Sequence, residues 1–143
     1  MNIPDLSQNL KSLLFKRYEW YEKELLISLE KQGDVSLTTA QARALAVLNG
    51  ESSSISSLAR SLNISRQAAH KTVVRLIELN WIKLEESDKG NEKIITFTEY
   101  GQQMRGKMKE HMMKIESDIA QSIGAERFAL LVEILNENWD GLN

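Results

Sequence analysis

Apolar residues recur at helical spacing from Asp5 to Lys31 (Leu6, Leu10, Leu14, Tyr18, Tyr21, Leu25, Leu29), which predicts one long amphipathic helix. It should stop near Gly33, a C-terminal breaker. A second helix follows Thr38, a capping residue, with Ala44, Leu45 and Leu48 inward, and Asn49-Gly50 closes it. The serine run Ser52-Ser53-Ser54 could be a linker, but Ser54 is better placed as the N-cap of a short helix, Ile55 to Leu62, with Leu58 and Leu62 on its inner face. Asn63-Ile64 then makes a tight turn, and Ser65 caps a further helix running to about Leu79. The apolar stripe of that helix is Ala69, Val73, Leu76 and Ile77, and Asn80 sits where a left-handed residue ends it.

The period then changes. Trp81 to Glu85 and Lys93 to Thr98 are rich in β-formers and flank the turn cluster Ser87-Asp88-Lys89-Gly90-Asn91, so they predict a hairpin. The helical period returns from about Glu99, through Met104, Met108, Met112, Ile115, Ile119 and Ile123, until Gly124 breaks it. A last helix, Ala125 to about Trp139, shows Phe128, Leu131 and Leu135. The fold class expected is therefore mainly α with a small β-hairpin wing. The order helix, helix, short helix, turn, helix, hairpin matches a winged helix-turn-helix, in which the second helix of the turn unit enters the major groove.

Charge supports that assignment. The chain of 143 residues carries a formal net charge of −2, which taken alone argues against a general polyanion binder. The charge is uneven, however. No acidic residue lies between Glu51 and Glu78, whereas Arg60, Arg66, Lys71 and Arg75 all do. The outer face of the proposed recognition helix shows Arg66, Gln67, His70, Lys71, Val74 and Arg75. Arginine or lysine can donate to guanine O6 and N7, and glutamine can pair both ways with adenine. Ser65 and the helix N-terminus offer hydroxyl and N–H donors to phosphate. A solvated face of an ordinary helix would show any one of these residues; the whole set, in this element order, points to double-stranded DNA.

Composition closes off other classes. With 42% hydrophobic and 27% charged residues and one proline, the chain reads as one ordinary folded domain. The absence of cysteine excludes disulfides, thiolate metal sites and thiol redox sensing within it. His111 has no second histidine or cysteine nearby, so no metal site is expected, and Met104, Met108 and Met112 suit a core or dimer seam rather than a cofactor site. Met1 to Gln8 lacks the basic and apolar stretches of a signal peptide, and no apolar run is long enough to span a membrane; a cytoplasmic location is expected. An enzyme is not expected either: there is no nucleophile elbow or phosphate-cradling glycine loop, and Glu85 and Glu86 alternate across strand faces. The remaining rival is a winged-helix protein–protein interaction module without specific DNA binding. Such modules carry acidic or apolar residues where this chain has basic and polar ones.

Ser54 to Gly101 resembles the MarR (multiple antibiotic resistance regulator) family. The residues that carry the resemblance are S-I-S-S-L-A (Ser54 to Ala59), Leu62-Asn63-Ile64-Ser65 at the turn, V-V-R-L-I-E-L (Val73 to Leu79), Trp81-Ile82, and Phe97-Thr98-Glu99-Tyr100-Gly101 after the wing. The resemblance implies one MarR-like domain over residues 1–143, with a DNA-binding region at 34–101 and dimerisation helices at 1–33 and 102–143. It implies a triangular homodimer, a ligand-responsive repressor on a pseudo-palindromic operator, and half-sites roughly 34–36 Å apart. It further implies a small phenolic or anionic effector near the first, second and fifth helices, where Tyr18, Trp20, Tyr21 and Arg43 lie. The DNA-binding residues expected are Ser54, Ser65, Arg66, Gln67, His70, Lys71, Arg75, Lys89, Asn91 and Lys93, with no catalytic residue, metal or cofactor. The wing departs from the family: its loop, Asp88 to Lys93, has no arginine to enter the minor groove, so Lys89 and Lys93 are expected on phosphate instead. Glu85, Glu86 and Glu92 would oppose DNA unless they point outward.

Overall fold

Side-chain caps decide where most helices of this chain begin. The computed structural model describes residues 1–33, 36–49, 53–88 and 90–142. Its elements are α1 (Leu10–Lys31), α2 (Thr39–Val47), α3 (Ile55–Leu62), α4 (Arg66–Glu78), β1 (Ile82–Glu86), β2 (Lys93–Phe97), α5 (Glu99–Ile123) and α6 (Ala125–Asn136). Thr38 opens α2 with a reciprocal capping box: its hydroxyl accepts the Gln41 N–H, and the Gln41 side chain accepts the Thr38 N–H. Ser54 Oγ accepts the Ser57 N–H at 3.1 Å to open α3, and Ser65 Oγ accepts the Ala68 N–H at 3.0 Å to open α4. Asn63 (φ 54°) and Asn80 (φ 63°) take the left-handed conformation that ends α3 and reverses the chain after α4.

Three boundaries depart from the periodicity. α1 starts at Leu10, not Asp5, because Asn9 Oδ1 takes the Ser12 N–H at 3.0 Å and Asp5 Oδ1 takes the Ser7 N–H at 2.9 Å. Local side-chain bonds there replace helical ones. α6 stops at Asn136, short of Trp139: Glu137 is extended (φ −64°, ψ 149°), and Asn138 Oδ1 holds the Asp140 N–H at 2.8 Å in a turn. Trp81 belongs to the junction after α4 rather than to β1, since its N–H bonds Leu76 O at 3.0 Å and its carbonyl accepts the Thr98 N–H at 3.1 Å. Gly50, expected to close α2, lies outside the described residues; within them Leu48 forms the C-cap.

The chain divides into two compact units, Leu26–Met108 and a second made of Met1–Leu25 with Lys109–Asn143. The first holds the winged helix-turn-helix. Its core is Ala44, Leu45, Leu48, Leu58, Val73, Leu76, Trp81, Ile82, Ile95 and Met104. The antiparallel hairpin pairs Ile82 with Phe97 and Leu84 with Ile95, so one face of the wing joins that core. Ser53 adds one isolated antiparallel bridge to Ile95, so a third segment of chain lies along β2. Ile77, expected in the apolar stripe of α4, is 36% exposed; the buried line is Ala69, Val73 and Leu76, and Ile77 falls one step to its side.

In the second unit, the Tyr21 hydroxyl donates to Glu116 Oε2 at 2.6 Å. Burial raises its pKa above the ordinary phenol range, and the Glu116 carboxylate adds to that, so the hydroxyl keeps its proton. α6 has no buried residue, and Leu130, Leu131, Val132, Ile134 and Leu135 are all exposed. Leu10, Leu13, Leu14 and Phe15 of α1 are exposed as well.

Candidate nucleic-acid interface

The geometry of the turn unit follows from its caps. Because Asn63 turns left-handed between two serine-capped helices, α4 is presented with its N-terminal turn outward and Ala69, Val73 and Leu76 against the core. Apart from half-buried Thr72, the other residues of α4 are exposed. Ser65, Gln67, Ala68, His70, Lys71 and Val74 line one open depression along its outer surface. The four first backbone N–H groups of the helix also lie at that end, and one of them, from Ala68, is already taken by Ser65.

The sequence-predicted residues therefore divide. Ser65, Gln67, His70 and Lys71 share the depression. Arg66 and Arg75 flank it, and each is held by a neighbour. Arg66 Nε donates to Ser56 Oγ of α3 at 3.0 Å, and Arg75 Nη1 pairs with Glu78 at 2.9 Å with both side chains about half exposed. Ser54 is half-buried and spends its hydroxyl on the cap of α3. On the wing, Asn91 and Lys93 are exposed, and Lys89 lies outside the described residues. Glu85 is exposed and pairs with Lys83 at 3.1 Å, which offsets part of the wing's acidic charge.

Sequence reasoning missed two kinds of residue. Ser56 and Glu78 hold the two arginines; the three-residue spacing of Arg75 and Glu78 was a signal for the second, but nothing local announces the first. Arg105 was missed altogether. From α5 its Nη1 donates to Leu45 O at 2.8 Å, its Nη2 to Asn49 Oδ1 at 3.4 Å, and its guanidinium lies 4.7 Å from the Phe97 ring centroid. Burial lowers its pKa from the usual value. Of the aromatic residues expected near an effector, Tyr18 and Trp20 are exposed, and the Tyr21 hydroxyl is committed to Glu116. Among the described residues no group of three or more His, Cys, Asp or Glu could hold a metal ion, and no helix is long and apolar enough to cross a membrane.

Residues 35–90 match the model of the MarR family. No curated protein matches the chain in sequence. Solved structures similar to it include the transcriptional regulator PA4135, 26% identical over 90% of this chain and 93% of that one, with a TM-score of 0.72. NadR, solved in complex with 4-hydroxyphenylacetate, is 18% identical over 94% of this chain and 95% of its own, with a TM-score of 0.72. The transcriptional repressor CouR, solved bound to a 23-mer DNA duplex, is 19% identical over 94% and 95%, again with a TM-score of 0.72. The fold, mainly helical with a two-stranded wing, is common to all three. The chain thus resembles the MarR family over its winged helix, residues 35–90, and shares its fold with solved transcription regulators.

Proposed function

We propose that this chain is a sequence-specific reader of double-stranded DNA that acts as a homodimeric, ligand-responsive repressor. One observation carries the reading: the outward face of α4 gathers Ser65, Gln67, His70 and Lys71 in one depression, flanked by Arg66 and Arg75, with no acidic side chain before Glu78. Such a face supplies donors for base edges and positive charge for phosphates. In this reading residues 34–101 are the DNA-binding region and 1–33 with 102–143 the dimerisation helices. Ser54, Asn91, Lys93 and Lys89 contact the backbone beside the groove. The exposed apolar side chains of α1 and α6 supply the dimer seam. Two copies would set two recognition helices about one helical turn apart on a pseudo-palindromic operator. The DNA-bound state of CouR and the phenolic ligand of NadR are consistent with both halves of the proposal.

The test is selection from a random duplex library by the full chain, followed by fluorescence anisotropy on the enriched and scrambled duplexes across a salt series. The proposal expects a palindromic motif, one dimer per site, and affinity that falls steeply with salt. Equal weak binding to both duplexes would replace it with a protein–protein module.

A further inference from the structure

The outer surface of α4 is not uniformly polar. Gln67, Lys71, Val74 and Glu78 succeed one another at intervals of four, three and four residues, so they form one line down the helix, opposite the buried Ala69, Val73 and Leu76. Within that line Val74 is 39% exposed; Ala68, six residues earlier at the other end of the same depression, is exposed too. A β-branched residue is a poor choice for the solvent face of a helix, where straight-chain residues lose less rotamer freedom. Val74 adds nothing to the core, which Val73 and Leu76 fill from the other side. One turn before it, by contrast, His70 and Lys71 are groups that address base edges and phosphates.

The two arginines on the flanks are tied to Ser56 and Glu78, which points them to the sides of the groove rather than into it. With Glu78 of the central line taken up by Arg75, Gln67 and Lys71 are its remaining polar side chains, with His70 at their side and Val74 as the apolar surface. In the major groove the apolar feature of a base pair is the 5-methyl group of thymine, and small apolar side chains are its usual contacts. Glutamine in the same line suits adenine, which thymine accompanies.

We propose that Val74 reads the 5-methyl group of thymine in each half-site, and that Gln67, two turns earlier on the same line, reads adenine. The inference rests on the DNA-reading function proposed above and adds the bases that this face selects. It makes specificity at those positions a matter of apolar contact, with little dependence on salt.

The test removes the methyl group alone. Duplexes enriched by the full chain are resynthesised with deoxyuridine in place of each thymidine in turn, and affinities are compared for the native chain and for Val74→Ala, whose exposed position leaves the core intact; circular dichroism checks the fold. Wild-type affinity should fall about fourfold at one thymine per half-site, the equivalent of one buried methylene. Val74→Ala should be insensitive to the same replacement. If no deoxyuridine position weakens the native chain while the motif still binds, the methyl reading is overturned and the DNA reader stands. An equal loss in both proteins places the methyl contact elsewhere and also overturns it. If no motif is enriched at all, the DNA-reading function itself fails.

Discussion

Gly101 sits where a side chain has no room. A Cβ there would overlap the Trp81 carbonyl and press on the Phe97 ring, while the Gly101 N–H bonds Thr98 Oγ1 at 2.9 Å. Thr98 in turn donates to Asn80 O at 2.5 Å, so one threonine and one glycine join the end of α4, the wing and the start of α5. Gly101→Ala should cost about 1–3 kcal/mol or more, because the obstacle is backbone and cannot turn aside; urea denaturation measures it. On the outer face of α4, Gln67→Ala should cost about 1–3 kcal/mol at a selected site, read by anisotropy, while non-selected DNA loses less. The contrast between these residues marks what a sequence discloses. Arg66, Gln67 and Lys71 were legible because helical period and charge put them on one face. The clamp of Arg66 by Ser56 was not, since it joins residues of two helices whose approach depends on the turn between them.

At the scale of elements, the caps made the helices legible. Ser54, Ser65 and Thr38 each stand one residue before the helix they open, and Gly124 (φ 102°) separates α5 from α6. The failures were at ends where side chains compete with the backbone, as Asn9 does for α1, or where a residue belongs to a junction, as Trp81 does. Long-range tethers were invisible. Arg105 fixes the last turn of α2 to α5 and stacks on β2, and no periodicity encodes that a half-buried arginine finds a carbonyl sixty residues away. Arg105→Ala should destabilise the chain by about 2–3 kcal/mol, the combined scale of a charged hydrogen bond and a cation–π contact. Arg105→Lys should recover only part of this, since one ammonium cannot reach both acceptors while lying over the ring. Thermal unfolding of the pair of variants distinguishes the two contributions.

At the scale of the molecule, the described residues leave large apolar side chains exposed on α1 and α6. Leu130, Leu131 and Leu135 are 53%, 44% and 47% exposed, and no residue of α6 is buried. With the dimer proposed above, Leu131→Asp should shift the sedimenting mass from dimer to monomer and weaken binding to a palindromic site; an unchanged mass removes α6 from the seam. The consequence reaches beyond assembly. A twelve-residue helix with no buried residue is marginal in water, so in the proposed dimer its order would depend on meeting the second chain. Folding then obeys mass action: each tenfold rise in concentration adds about 1.4 kcal/mol to the apparent stability of the dimer. In such a dimer, chains made in abundance would protect one another, while the last few copies left after synthesis stops would spend more time apart and open to proteases. Turnover of such a regulator would accelerate as its own level falls, giving it a threshold in abundance that no inducer need supply.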